Sequence, residues 1–236
     1  MEQTTKPLVL IGGLQKSSLI DYPEKISAII FLKGCNFRCP YCHNPELVNK
    51  TSTSLLSEVE VLKFLKSRKD KLDGVVITGG EPTLYENLPD FLNKIKELNF
   101  LIKLDTNGSN PELLQKVISK KLVNYVAMDI KSPIDKYNKT VCAKVNIENI
   151  LKSINILKLS NIDYEFRTTV VKSQLSLDDF EKIGKMIEGS KKHYLQRFLP
   201  TKTLDDNFIN ELTYEKNEFI SIIKRLKKYI ELVELR

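Results

Sequence analysis

The run Gly34-Cys35-Asn36-Phe37-Arg38-Cys39-Pro40-Tyr41-Cys42-His43-Asn44 places three of the chain's four cysteines within eight residues, spaced C-x3-C-x2-C. Three thiolates this close, with no fourth nearby, suit a [4Fe–4S] cube held at three corners with its last iron open. Electron-transfer clusters close that corner with a fourth cysteine. An open corner implies that something other than the protein binds there. Immediately upstream, residues 26–32 are short, apolar and β-branched, so the cysteine loop leaves the carboxyl end of a strand.

The pattern downstream repeats that unit. Ser57-Glu58-Val59-Glu60 is a capping box opening a helix to about residue 69, and residues 74–78 form a strand ending at Gly79-Gly80. Residues 91–98 are helical, 100–105 a strand stopped by Asn107-Gly108, and Asn110-Pro111 starts the next helix. Strands follow at 125–130, 164–171 and 194–198, separated by helices around 147–157 and 176–187 and followed by one at 214–228. Six strand–helix alternations predict an α/β fold with a parallel sheet, either a barrel or an open doubly wound sheet. The chain reads as one domain, 1–236. A short N-terminal extension covers 1–25, the core about 26–200 and a C-terminal helical segment about 201–236.

The composition is that of a globular protein, 42% hydrophobic and 28% charged, with a net charge of +7. The basic residues sit in helical segments such as 63–71 and 224–228 and read as solvated faces, so no nucleic-acid partner is expected. No apolar run reaches the length of a membrane span, and residues 1–6 lack the apolar core of a secretion signal. A cytoplasmic location is expected, where reduced thiols favour metal over disulfides.

The residues suited to chemistry fall at the carboxyl ends of the strands, where parallel α/β folds gather their functional groups. The first strand runs into the cysteines. The second ends in Thr78-Gly79-Gly80-Glu81-Pro82, the third in Asp105-Thr106-Asn107-Gly108 and the fourth in Met128-Asp129-Ile130-Lys131, while Arg167 lies on the fifth. Singly, each has an ordinary reading: a tight turn at Gly79-Gly80, an ion pair between Asp129 and Lys131, a paired Arg167. Their joint placement is the signal. A zinc knuckle with His43 as fourth ligand is the alternative for the cysteines, although Cys42 and His43 are adjacent and do not readily reach one tetrahedral ion. Cys142 reads as a semi-buried structural thiol and His193 as an exposed polar residue at the mouth of the sixth strand.

With Tyr41 before the third cysteine and Gly79-Gly80-Glu81 one strand later, the chain resembles the radical S-adenosylmethionine (SAM) enzymes. Segments 13–23, 31–48, 78–84 and 194–198 are similar to those of glycyl-radical-enzyme activases, the activators of anaerobic ribonucleoside-triphosphate reductase in particular. The resemblance implies a partial (β/α)6 barrel of parallel strands with its cofactor site at the C-terminal strand ends. It implies that Cys35, Cys39 and Cys42 bind a [4Fe–4S] cluster whose open iron SAM chelates, and that Phe37 and Tyr41 shield the cube and the adenine edge. Gly79, Gly80 and Glu81 match the motif that holds the methionine amino group. A bulky residue at Gly80 is therefore expected to weaken SAM binding with iron content intact. Asp105 and Asp129 match positions that form a monovalent-cation site, and Lys131 and Arg167 match basic positions facing the SAM carboxylate or ribose. Residues 164–169 lack the glycine common on the family's fifth strand.

The activity implied is reductive cleavage of SAM to a 5′-deoxyadenosyl radical that takes hydrogen from a glycine of a partner enzyme. Anaerobic ribonucleoside-triphosphate reductase is the first candidate partner, with a flavodoxin- or ferredoxin-type electron donor. Two alternatives stand beside it. One is a radical SAM enzyme acting on a small molecule, for example in modified-nucleoside synthesis, with a pocket built from residues 135–146 or 201–211. The other is a non-catalytic zinc-binding module.

Overall fold

The computed structural model describes residues 9–49 and 56–236; residues 1–6, read above for a secretion signal, lie outside them. The six expected strands are present as β2 (Ser27–Leu32), β3 (Gly74–Gly79), β4 (Leu101–Thr106), β5 (Tyr125–Asp129), β6 (Asp163–Val170) and β7 (Lys192–Arg197). Two further strands flank them, β1 (Ile11–Ser18) and β8 (Leu232–Leu235). The sheet order is β1 to β8 in chain sequence, with β1 antiparallel to β2 and every other pair parallel. Pairing stops at β8, so the sheet is a barrel left incomplete.

Helices cross over between the parallel strands. They are α1 (Pro45–Val48), α2 (Glu58–Ser67), α3 (Leu88–Glu97), α4 (Pro111–Ser119), α5 (Tyr137–Thr140), α6 (Ile147–Leu159), α7 (Leu177–Met186) and α8 (Lys216–Leu226). Their starts follow local chemistry. The Ser57 hydroxyl accepts from the Glu60 N–H while the Glu60 carboxylate accepts from the Ser57 N–H, and the Asn110 side chain caps Leu113 N–H ahead of Pro111. The C-terminal segment read as helical also contains β8, and part of the N-terminal extension is β1. Among the described residues no helix is long and apolar enough to cross a membrane.

Strand alternation sorts side chains onto two faces. Ala28, Ile30, Val75, Ile77, Ile102, Leu104, Val126, Met128 and Phe166 face the helices and form the main core. The opposite face encloses a small apolar floor of Tyr22, Ile29, Val76 and Tyr125, flanked by Phe31 and Leu101. Above that floor the same face turns polar: Lys103 and Asp105 follow Leu101, Asp129 follows Tyr125, and Glu165, Arg167 and Thr169 alternate along β6. The fold therefore builds a polar chamber inside the barrel at the carboxyl ends of the strands.

Cys142 is exposed rather than half-buried, and His193 corrects a second expectation. It is buried rather than exposed and faces the helix layer, with Nε2 at 2.9 Å from Thr168 Oγ1, whose hydroxyl donates to Ile130 O at 2.8 Å. That chain fixes Nε2 as the protonated nitrogen and leaves Nδ1 buried without a partner among the described residues. Burial pushes the imidazole down to about 3. In the unfolded chain His193 gains a proton below about pH 6.5, whereas the folded chain resists it. Stability from this group is thus complete above pH 6.5 and falls by about 1.4 kcal/mol per pH unit beneath it. Urea denaturation from pH 7 to pH 5 is expected to show a pH slope in the wild type that is shallower by about that amount in His193→Leu. Equal slopes would refute the neutral buried imidazole.

Candidate functional site

The cysteine loop begins where β2 ends. Gly34 turns the chain at a φ of 84°, and the loop is stitched to the α1 turn by Gly34 N–H to Leu47 O (2.7 Å) and Cys35 N–H to Val48 O (3.0 Å). The Arg38 guanidinium donates to the carbonyls of Cys35 (2.6 Å) and Phe37 (2.9 Å), and Phe37 N–H donates to Cys35 Sγ at 3.3 Å. Burial pushes the Cys35 thiol up to about 12 and Cys39 to about 11, so a metal must displace these protons for the sulfurs to serve as thiolates. Among the described residues, no three His, Cys, Asp or Glu side chains converge where one metal ion could sit. His43 stacks on Phe198 with ring centroids 5.5 Å apart and donates from Nδ1 to Lys202 O at 3.2 Å. A zinc knuckle would need that ring turned back toward the cysteines.

The Gly79-Gly80-Glu81 segment forms the facing wall, and its backbone touches the cysteine loop directly. Gly80 N–H donates to Leu32 O and Glu81 N–H to Gly34 O, both at 2.8 Å. A Cβ on Gly80 would overlap the Gly34 carbonyl, its carbon lying at 2.6 Å, and Gly79 adopts a φ of 113° against Leu32. Glycine is needed here first for the approach of two backbones. The Glu81 carboxylate accepts from Thr83 N–H and Oγ1, Thr106 Oγ1 (2.7 Å) and Asn107 N–H (2.6 Å), tying the end of β3 to the end of β4. In this arrangement Glu81 is a cross-link as well as a wall residue.

Inside the barrel, five charges form a ladder across three strands. Lys103 Nζ lies 2.6 Å from Asp105 Oδ1, Arg167 Nη1 3.1 Å from Asp105 Oδ2, Arg167 Nε 2.9 Å from Asp129 Oδ1, and Lys131 Nζ 2.9 Å from Asp129 Oδ2. Burial would raise both carboxyls, but Arg167 and Lys103 hold Asp105 below its usual range, and Arg167 and Lys131 hold Asp129 down to about 2. Asp129 in turn lifts Lys131 above its ordinary value against the effect of burial. The expected cation site at Asp105 and Asp129 is thus filled by protein cations, with Arg167 bridging the two carboxylates. A monovalent ion would have to compete with three basic side chains.

Cys35, Cys39, Cys42, Tyr41, Gly79, Gly80, Glu81, Asp105, Asp129, Lys131 and Arg167 all line one cavity of about 240 Å³. Sequence reasoning missed Thr169 and Gln196 on its wall, and Lys103 beneath it. Thr169 and Gln196 are register partners on β6 and β7, which the two-residue strand period could have placed on the chamber face. Residues 135–146 and 201–211 contribute nothing to the cavity wall. They brace the back of the cysteine loop instead, through Arg38 N–H to Val141 O (2.8 Å), the Phe37–Tyr137 edge contact and Asp205 N–H to Pro40 O (3.0 Å). A larger surface groove of about 1190 Å³ lies between α4 and α6 at the opposite ends of the strands, away from the cysteines and the ladder.

A strand-end chamber with three cysteines on one wall and glycines and basic groups on the other has a family. Residues 29–187 match the radical SAM superfamily, and the chain belongs to it. Within that superfamily it belongs with the glycyl-radical enzyme activating enzymes. It is 37% identical over 234 residues to a Methanocaldococcus jannaschii protein assigned as such an enzyme, covering 96% of this chain and 95% of that one. It is also 27% identical over 231 residues to the pyruvate formate-lyase-activating enzyme of Clostridium pasteurianum, covering 94% of each. In structure it matches a domain of a pyruvate-formate lyase-activating enzyme from Bacteroides vulgatus with a TM-score of 0.55 at 22% identity, over 69% of this chain and 98% of that one. The cofactors of this superfamily are a [4Fe–4S] cluster and SAM.

The chamber fits both. Three cysteine sulfurs surround it without meeting at a point, the wall opposite lacks side chains at two glycines, and the buried hydroxyl of Tyr41 on its lining makes no well-formed hydrogen bond among the described residues. Gly80→Val is expected to displace the cysteine loop, so both iron content and SAM binding fall, revising the expectation that iron survives. Gly13→Ala, where a Cβ would meet Phe31 at an ordinary 3.6 Å, should retain both. Iron analysis on anaerobically reconstituted protein checks this; full iron in the Gly80 variant would contradict it. Lys103→Met removes a buried partner of Asp105 and is expected to destabilise the fold by about 3 kcal/mol, with much of that recovered in Lys103→Met/Asp105→Asn. Denaturant midpoints test the coupling, and strict additivity of the two changes would disprove it.

Proposed function

We infer that this chain installs a glycyl radical on a partner enzyme, with anaerobic ribonucleoside-triphosphate reductase as the first candidate. Cys35, Cys39 and Cys42 would hold the [4Fe–4S] cluster, which supplies one electron for reductive cleavage of SAM. Gly79 and Gly80 let backbone carbonyls approach an ammonium group, and Lys131 and Arg167 offer cations to a carboxylate. Phe37 and Tyr41 exclude water from the cysteine wall. The protein's contribution is orientation and exclusion, since the hard chemistry belongs to the cofactor. A flavodoxin- or ferredoxin-type protein would deliver the electron, and the overall positive charge suits an acidic partner of that kind.

One observation carries this reading over a small-molecule enzyme. Residues 135–146 and 201–211, the segments available to build a dedicated substrate pocket, brace the cysteine loop and leave the chamber lined almost wholly by cofactor-type groups. A substrate that brings its own scaffold, such as a polypeptide loop carrying a glycine, needs no further pocket from this chain. Anaerobic incubation with SAM, a strong reductant and the candidate reductase is expected to give the electron spin resonance signal of a glycine-centred radical on the partner. Formation of 5′-deoxyadenosine without such a signal on any glycyl-radical enzyme would transfer the assignment to small-molecule chemistry.

A further inference from the structure

Tyr41 sits between Cys39 and Cys42, is 4% exposed, and lines the chamber. Among the described residues its buried hydroxyl makes no well-formed hydrogen bond, although Cys39 Sγ lies within its reach. A buried hydroxyl left unpaired costs about 1–3 kcal/mol, and native proteins rarely tolerate one without a reason. Of the charged and polar groups around Tyr41, Cys39 is the one within hydrogen-bonding reach. Its neighbours are Cys39, Tyr137 and Asp129. Both Asp129 oxygens are engaged, Oδ1 by Arg167 and Oδ2 by Lys131. The Tyr137 hydroxyl already accepts from Lys131 N–H. Cys39 Sγ remains. A thiol sulfur is a weak acceptor, whereas a thiolate bound to iron keeps lone pairs and negative charge and accepts well.

We propose that Tyr41 is a tuning residue of the iron–sulfur centre: its hydroxyl donates a hydrogen bond to Cys39 Sγ when that sulfur ligates iron, and thereby raises the reduction potential of the cluster. Hydrogen bonds to ligand sulfurs favour the reduced cube because they stabilise the extra electron density that reduction places on sulfur. The inference rests on the cluster reading above, and it deepens that reading by naming a group that sets how readily the centre accepts its electron. Phe37, the other aromatic residue of the loop, has no such donor. The aromatic ring at position 41 can shield the site whether or not it carries a hydroxyl; only the hydroxyl can move the potential.

The test uses anaerobically reconstituted wild type and Tyr41→Phe without SAM, each assayed for iron and sulfide and then titrated potentiometrically by electron spin resonance of the reduced cluster. Equal iron and sulfide show that the cluster reading holds independently of the outcome. At a fixed ambient potential the ratio of reduced to oxidised cluster is expected to fall about tenfold in Tyr41→Phe, which for a one-electron couple is a downward shift of about 59 mV. An unchanged midpoint with full cluster content would overturn the proposal, as would a shift that appears only when SAM is present, since the hydroxyl would then serve SAM. Should the phenylalanine variant fail to load iron, a trifluorotyrosine at position 41 keeps the ring and strengthens the donor. Its midpoint is expected to rise, and a midpoint equal to that of the wild type would overturn the proposal in the same way.

Discussion

The site depends on the contact of two backbones. Gly34 follows the strand that delivers the cysteines and Gly80 follows its neighbour, and they meet so closely that no Cβ fits on Gly80. Because β2 and β3 are paired in register up to Leu32 and Gly79, the two strands hand over their loops at the same height. The Glu81 N–H then bonds the Gly34 carbonyl, and the Glu81 carboxylate carries the connection onward to β4 through Thr106 and Asn107. A chain of backbone contacts thus sets the thiols against the glycine wall before any cofactor arrives.

The second constraint is electrostatic. Strand alternation forces Lys103, Asp105, Asp129, Glu165 and Arg167 into the barrel, where single charges would be costly. Pairing resolves this in two groups. The ladder from Lys103 to Lys131 contains three cations and two carboxylates, and Glu165 is held separately by Tyr125 Oη (2.8 Å) and Arg236 Nη1 (3.0 Å). The excess of one positive charge in the ladder faces the chamber at Lys131 and Arg167. It gives the cavity a fixed preference for an anionic group beside these cations, Lys131 being near enough to Cys39 to feel its charge, and the cross-pairing keeps the cations from swinging out to solvent.

How much of this was legible follows from what each segment looks like alone. Residues 26–32, 74–78 and 125–130 are short, mostly apolar and largely buried runs, so their strands emerged within a residue or two of their bounds. β1 did not: Ile11-Gly12-Gly13-Leu14-Gln15-Lys16-Ser17-Ser18 carries two glycines and a polar half, and it is a strand because β2 offers it an edge. β8 is four residues long and follows a helix with no turn signal strong enough to announce it. Lys103 was invisible because a lysine between Ile102 and Leu104 reads as the solvent side of a half-buried strand, whereas here that side is the barrel interior. His193 failed for the converse reason, as a polar residue whose partner, Thr168, is brought to it only by sheet pairing. The eleven selected site residues all reached one cavity because each lies in the carboxyl half of a strand or in the loop that follows it, and these regions of a parallel sheet share a rim.

The central claim is that the cysteine wall and the glycine and basic walls face one another closely enough for a cluster held by the first to touch a molecule held by the second. Electron–nuclear double resonance on the reduced holo-protein measures this directly, with SAM labelled by ¹⁵N at its amino group and ¹⁷O in its carboxylate. Resolved hyperfine coupling of both labels to the cluster is the result expected. A well-formed reduced-cluster signal with SAM bound and neither label coupled to it would contradict the account.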